Sequence, residues 1–525
     1  MRLLHVASAF ALLAAPALAQ PDSGSDKGKS VEAMHKDAMA EAAKDAWANP
    51  PVEERQVASH HSIKQDGRTL KYTATAGTLT IRDVAGKPTA SIFYTAYTLD
   101  GARGTNRPVM FLYNGGPGSP TLWLHMGSVG PMRLVTGNPD YIRPAPFQFG
   151  PNPDTLLGST DLVFLDAPGA GYSRPLGDAK GSDFYGVDED ADAFARAILR
   201  YVTKYNRWDS PKFLFGESYG TTRSGALAYQ LQDRGMALNG VILLSSIMNY
   251  GRRQPGLDQD YLNYLPSYAA TAWYHHKMPN PPATVAEAAE MGREFAEGAY
   301  ASALAKGQTI SPEEENSVAQ RMSQLTGLSP DFIKRSNLRV DLSRFRKELL
   351  RDERQTVGRF DSRYTGVDSD AAGDSPDFDA SDVAISGAFI GTLHNYLVQD
   401  LGYETNMQYR LSARDEKDFE WDWKHKAPGR SFAMNNPNTA LDLAAAMRTN
   451  PYLKVLSLNG WYDMATPFFG TEFDLDHMML EPAQQQNLEF RYYPAGHMVY
   501  LNPDALHSLR VDVEQFINKA VGAAR

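Results

Sequence analysis

Ser218, Asp463 and His497 are the residues of this chain whose types and order could do covalent chemistry. A serine hydroxyl is a poor nucleophile until a base takes its proton, which is the role open to His497. An aspartate behind the histidine holds the imidazole in the correct tautomer and stabilises the imidazolium, which is the role open to Asp463. Ser218 sits in Gly216-Glu217-Ser218-Tyr219-Gly220, a literal G-x-S-x-G. That pattern marks a nucleophile elbow, a strained strand-to-helix turn that lifts a serine hydroxyl above a sheet. Upstream stands Asn114-Gly115-Gly116-Pro117-Gly118. Its glycines suit either a plain Gly-Pro turn or a close approach of bare backbone N–H groups to a ligand oxygen. Its place ahead of an elbow favours an oxyanion hole, with the N–H groups of Gly116 and Tyr219 as donors. The chemistry implied is acyl transfer through serine.

Three strands must carry these residues. Residues 212–215 form a short apolar strand leading into the elbow, and 221–232 can form the helix that follows it. That helix would point its free N–H groups and positive dipole end at the site. Residues 452–458 precede Asp463 and residues 488–493 precede His497, both as strands. Further apolar strands at 108–113, 161–168 and 238–245 alternate with an amphipathic helix at 190–205 and with helical segments at 441–447 and 511–521. This alternation implies a mostly parallel sheet with helices on both faces. Ser218, Asp463 and His497 then stand just past the C-terminal ends of their strands, where open parallel sheets bind ligands. Their order along the chain, Ser then Asp then His, is that of α/β-hydrolases. The fold class expected is therefore an α/β-hydrolase fold with an inserted helical cap.

Five segments are expected. Residues 1–19 read as a signal peptide: Arg2, an apolar run at 3–15, and Ala17-Leu18-Ala19 before Gln20. The bacterial style of that signal points to secretion into the periplasm. Residues 20–51 are a polar linker, 52–250 the N-terminal part of the core, 251–380 a mainly helical cap insertion, and 381–525 the C-terminal part of the core. Within the first core part, 62–99 reads as a β-meander with strands at 71–75, 77–82 and 91–97.

Composition removes several classes. A net charge of −10 argues against nucleic acid. The absence of cysteine excludes disulfides, thiolate nucleophiles and thiolate metal sites. No window after the first twenty residues is long and apolar enough to span a bilayer. His60-His61 point to opposite faces of a strand, and His275-His276 read as core or rim packing. The stretch 368–382 is similar to a calcium loop, but Ala372 occupies a ligand position and Asp379 replaces the closing Glu, so a solvated acidic loop is expected. No metal and no cofactor are expected.

The motifs as a set resemble the serine carboxypeptidase family. Asn114-Gly-Gly-Pro-Gly118 looks like its N-G-G-P-G, and residues 162–168 with Gly171-Tyr-Ser173 resemble the strand and loop before its catalytic helix. Gly216-Glu-Ser-Tyr-Gly220, Asp463-Met-Ala-Thr-Pro467 and Ala495-Gly-His-Met498 complete the set, which spans about 105–505. The resemblance implies Ser218, Asp463 and His497 as the triad and Gly116 and Tyr219 as oxyanion donors. It also implies that Asn114, Gly115 and Glu217 bind the substrate's terminal carboxylate, Glu217 as a protonated acid. The substrate class implied is a peptide or protein C-terminus, cleaved at acidic pH. Three departures stand against the pattern: Ser128 where a second carboxylate-binding Glu is usual, Leu112 for a Trp, and Ser119-Pro120-Thr121 for Cys-Ser-Ser. The first weakens strict exopeptidase action and leaves an esterase, amidase or acyltransferase as the alternative. A binding protein with a silent site has no need of this whole constellation.

Overall fold

The computed structural model describes residues 50–102, 107–417 and 419–522. Residues 1–19, expected as a signal peptide, and the expected linker up to residue 49 lie outside the described residues. The chain opens on three long antiparallel strands, β1 (Gln56–Gln65), β2 (Arg68–Arg82) and β3 (Pro88–Leu99). Asp66 and Gly67 turn β1 into β2 with φ of 47° and 75°, the two positive values that a tight hairpin loop needs. The sequence reading split β2 in two at Gly77; the strand is continuous. A Cβ at Gly77 would stand 2.5 Å from the Arg55 carbonyl oxygen. The glycine therefore accommodates a backbone lying against the strand and does not interrupt it.

Six parallel strands follow: β4 (Val109–Tyr113), β5 (Asp161–Leu165), β6 (Lys212–Glu217), β7 (Gly240–Leu244), β8 (Lys454–Gly460) and β9 (Leu488–Tyr493). They extend the first three in the order β1-β2-β3-β5-β4-β6-β7-β8-β9. The sheet is thus mixed, antiparallel at its N-terminal side and parallel through its centre, in the α/β-hydrolase arrangement expected. Residues of β4 to β8 are buried throughout, which is why they read as unbroken apolar runs.

Helices cover both faces, and side chains divide between them with period two. Helix α1 (Val187–Lys204) and helix α2 (Tyr219–Asp233) pack Phe194, Ile198, Leu227 and Leu231 against Phe111, Val163, Leu214 and Leu243. Between β7 and β8 lies a helical insertion containing α3 (Gln259–Tyr274), α4 (Val285–Phe295), α5 (Pro312–Thr326) and α6 (Leu342–Glu348). Its apolar core also takes in Trp461, Tyr462, Met464 and Phe468, the residues around Asp463. Next come α7 (Ser386–Asn395), α8 (Ala440–Thr449) and, after β9, α9 (Pro503–Gly522). α7 and α9 bury Phe389, Leu393, Leu509 and Phe516 against Leu112, Phe164, Phe215 and Leu456 on the other face.

The acidic stretch 368–382 is largely solvated, with Asp370, Asp374 and Asp377 exposed, but it is anchored at two of its carboxylates. Asp368 pairs with Lys347 at 2.5 Å, with side-chain exposures of 1% and 3%. Asp379 accepts the backbone N–H groups of Arg359 at 2.8 Å and Phe360 at 3.3 Å. Carboxylates spaced like metal ligands here satisfy a lysine and the backbone instead.

One ion pair links the sheet to its helices. Arg223 of α2 binds Asp190 of α1 through two nitrogens, at 2.6 and 3.1 Å, with both side chains buried. Its third nitrogen donates to the Asn114 carbonyl at 2.8 Å. Arg223→Leu leaves a buried carboxylate without its partner and should cost about 3–5 kcal/mol. Adding Asp190→Leu removes that charge and should recover most of the loss, read as unfolding midpoints of the two single variants and the double.

Candidate active site

Ser218 sits at φ 60°, ψ −129°, a region that a side chain enters at a cost of about 1–3 kcal/mol. The surroundings hold it there. Its N–H donates to the Leu244 carbonyl at 3.0 Å, and its own carbonyl accepts the Thr221 N–H at 2.8 Å and hydroxyl at 2.7 Å. The flanking glycines have no room for a side chain. A Cβ at Gly216 would lie 2.3 Å from the Gly220 oxygen, and one at Gly220 would lie 2.9 Å from the Tyr113 oxygen. Glu217, Tyr219 and Gly220 are buried, whereas Ser218 is only half-buried. The turn thus leaves its hydroxyl-bearing residue accessible.

β8 and β9 deliver the other two groups side by side. Beyond the strands, Trp461 N–H donates to Tyr493 at 3.1 Å and Tyr462 N–H to Ala495 at 3.0 Å. A Cβ at Gly460 would stand 2.2 Å from the Gly496 oxygen, so only glycine lets the two loops touch. His497 Nδ1 lies 2.8 Å from Asp463 Oδ2. A carboxylate only accepts, so Nδ1 carries the proton and Nε2 is free to act as a base. Asp463 is held in turn by the N–H groups of Ala465 (2.7 Å) and Thr466 (2.9 Å) and by the Thr466 hydroxyl (2.7 Å). Burial works against a charge on His497. The Asp463 carboxylate outweighs it, with help from Glu217 and against Arg359, and lifts the imidazole above its ordinary value. Ser245 ties this pair to the elbow: its N–H bonds Leu458 at 2.9 Å and its hydroxyl bonds the His497 carbonyl at 2.6 Å.

The glycine loop lies against the start of α2. A Cβ at Gly115 would be 2.4 Å from the Tyr219 nitrogen. Gly116, at φ 107°, is exposed in otherwise buried surroundings. Asn114 Nδ2 donates to Glu217 Oε2 at 2.9 Å, and the Tyr500 hydroxyl reaches the same oxygen at 3.0 Å. Glu217 is buried, and burial pushes its carboxyl up to about 7 despite the His497 charge and these two donors. A neutral carboxylic acid beside Ser218 can donate a hydrogen bond to an anion.

The structure therefore brings Asn114, Gly115, Glu217 and Tyr219 into one site around Ser218, with the Asp463–His497 pair at the same sheet edge. Ser128 brings no second carboxyl. It is buried, and its hydroxyl donates to the Leu124 carbonyl at 2.5 Å. The ring of Tyr500 instead packs beside it: a Cβ at Gly127 would meet that ring at 2.7 Å. Sequence reasoning missed Tyr500, Thr466 and Phe360. The first two lie within a few residues of His497 and Asp463, which was the available signal. Phe360 comes from the helical insertion and had none. Its carbonyl accepts the His497 N–H at 2.6 Å, and its ring lies 5.2 Å from the imidazole. Among the described residues no group of three His, Cys, Asp or Glu side chains could hold a metal ion.

Residues 67–282 match the family model of the serine carboxypeptidases. The matched stretch includes the glycine loop and the elbow, starts earlier than the motifs suggested, and ends before Asp463 and His497. Similar solved structures include a proline iminopeptidase from Mycobacterium smegmatis, 14% identical over 85% of this chain and 100% of that one, with a TM-score of 0.36. A carboxyl esterase from Bacillus coagulans is 11% identical over 85% and 98% of the two chains, with a TM-score of 0.34. The epoxide hydrolase of Aspergillus niger is 10% identical over 86% and 79%, with a TM-score of 0.33.

The raised Glu217 carboxyl makes stability depend on pH. Its value moves from 4.5 to about 7 on folding, so the folded state holds the proton more tightly than the unfolded one. The stability that this contributes is complete below pH 4.5 and is lost as pH rises through about 7. It amounts to on the order of 3 kcal/mol. Unfolding midpoints should fall across that window, and Glu217→Gln should flatten the fall.

Proposed function

We propose that this chain, a serine carboxypeptidase-type hydrolase by its match over residues 67–282, releases the last residue of a peptide through an acyl-serine. His497 Nε2 takes the Ser218 proton, and Oγ attacks the carbonyl of the last peptide bond. The oxyanion receives the N–H groups of Gly116 and Tyr219, each worth roughly 2.7–4 kcal/mol. His497 then protonates the departing amine, and water hydrolyses the acyl-serine by the same base. The observation that carries the peptide-terminus reading is the buried Glu217 carboxyl beside Ser218, held by Asn114 and Tyr500 and raised by burial to about 7. Two neighbouring carboxylates repel, so a protonated Glu217 can donate to a terminal carboxylate where an ionised one cannot. That bond is worth about 1.5–3 kcal/mol. It also favours acid pH, because Glu217 loses its donor proton as pH passes about 7.

The helical insertion, in this reading, is a cap. Its core shares Trp461, Met464 and Phe468 with the Asp463 loop, and Phe360 stands on His497. Export to the periplasm is part of the same proposal and is supported by Arg2, the apolar run and Ala17-Leu18-Ala19. N-terminal sequencing of the secreted protein should begin at Gln20.

A fluorophosphonate probe should label the wild type and miss Ser218→Ala. Ser218→Ala and His497→Ala should lose activity nearly equally, since the triad acts as a unit. A free-acid peptide should be cleaved about 10- to 150-fold better than its C-terminal amide at pH 5. KM for the free acid should rise before kcat falls as pH passes 7. Equal kcat/KM for acid and amide would leave a general acyl hydrolase, the reading that Ser128 favours.

A further inference from the structure

A strap from the insertion, Arg359-Phe360-Asp361-Ser362-Arg363, lies between the two catalytic loops. The Arg359 carbonyl accepts the Met464 N–H at 3.1 Å, the Phe360 carbonyl accepts the His497 N–H at 2.6 Å, and Ser362 N–H donates to Tyr462 at 3.1 Å. Asp361 accepts the Gly496 N–H at 3.2 Å, and Arg363 donates to the Pro494 carbonyl at 2.9 Å. The strap's backbone is thus fixed against both loops, and its side chains stand at a set distance from His497.

Arg359 is the side chain for which the fold has no use. Arg363 is spent on Asp361, and Arg346 donates to the Val357 carbonyl. The Arg359 guanidinium lies 5.1 Å from the Phe360 ring, and that ring is 5.2 Å from the imidazole. It is half-exposed and has no carboxylate oxygen within 4 Å among the described residues. A cleft of about 670 Å³ in the same insertion is lined by Arg253 and Tyr264, with Asp258, Asp260 and Asp341 among its other residues. Arg253 reaches the Ala465 carbonyl, two residues past Asp463, at 3.4 Å and has only a loose pairing with Asp260 at 3.5 Å. Burial raises the Tyr264 phenol, with Asp260 adding to the rise, and the Arg253 and Arg359 charges both work against it.

We propose that Arg359, seconded by Arg253, forms a subsite for an acidic side chain of a peptide residue flanking the scissile bond. The subsite rests on the peptide reading of the Ser218 site and deepens it. Carboxylate recognition here is separate from that at Glu217: a guanidinium takes a charged side chain bidentately, whereas a neutral Glu217 takes the terminal carboxylate. A guanidinium with no carboxylate partner gives up part of its hydration but no ion pair on meeting a ligand, and one such bond is worth roughly tenfold in affinity. The half-exposure of Arg359 makes this preference sensitive to salt.

The test measures peptide binding to the intact chain carrying Ser218→Ala, so that it does not depend on turnover. Matched peptides carry Glu, Gln or Lys, in one set on the acyl side and in a second set as the leaving residue. In at least one set the Glu peptide should bind about tenfold tighter than the Gln peptide at low salt. Arg359→Met should abolish that ratio, Arg359→Lys should keep most of it, and Arg359→Glu should turn it toward Lys. Equal binding of Glu and Gln peptides in both sets overturns the subsite, and so does a ratio that survives Arg359→Met. A ratio lost only in Arg414→Met, beside the glycine loop, overturns the assignment to Arg359. Equal binding of Glu and Gln with a persisting preference for free acid over amide sinks the subsite alone. A Glu preference without any free-acid preference sinks the carboxypeptidase reading and spares the subsite.

Discussion

The geometry of the site depends on backbone pairing at the C-terminal edge of β6, β7, β8 and β9. Ser218 bonds Leu244, Ser245 bonds Leu458, and Trp461 bonds Tyr493. Each bond joins the residue just past one strand to the end of the next. No side chain takes part, so the sequence can vary in the strands while the elbow and the two loops keep their separation. Parallel strands with helices on both faces exclude water from these bonds, which makes any one of them costly to break. The strain at Ser218 persists because this ladder over-determines it.

The insertion does more than cover a surface. Five hydrogen bonds from residues 359–363, three through backbone groups, one through the Asp361 carboxylate and one through the Arg363 guanidinium, hold the Asp463 and His497 loops. Asp379 in turn accepts the N–H groups at the head of that strap. The chain has no cysteine, so this load falls on hydrogen bonds and on buried pairs such as Arg363–Asp361 and Lys347–Asp368. Such pairs contribute little net stability, because desolvation offsets their attraction. What they add is direction: a guanidinium with two carboxylate bonds has few orientations left.

The parts of this design legible in the sequence are those that follow a local rule. The elbow showed because two glycines must flank a serine in a tight turn, and the sheet showed because doubly buried strands are unbroken apolar runs. The triad order showed because each member ends a strand. Gly77 misled for the same reason, since a glycine inside a β-pattern signals a break unless one knows that Arg55 lies against it. The acidic stretch read as solvated and mostly is, but spacing alone cannot reveal that Lys347 anchors Asp368. Tyr500 left only its nearness to His497 as a signal, and Phe360 left none. Their roles arise from contacts across 283 residues to Glu217 in one case, and from the fold of an insertion with a separate core in the other.

Glu217 is buried next to Ser218, His497 is buried at the same sheet edge, and each responds to the other's charge. The reading of the site needs both neutral at once, Glu217 to donate and His497 to accept. An ionised Glu217 would draw a proton onto His497 and silence the base, so losing the donor also weakens the nucleophile. An arriving carboxylate opposes this. Placed beside Glu217, it penalises the ionised acid and favours the proton on Glu217. The neutral acid then no longer stabilises an imidazolium, although the bound anion itself does so in part. Protons at such a pair belong to the pair and not to either residue. On the carboxypeptidase reading, a substrate carrying the right anion therefore helps to set the protonation state that its cleavage needs, and an amide of the same peptide does not.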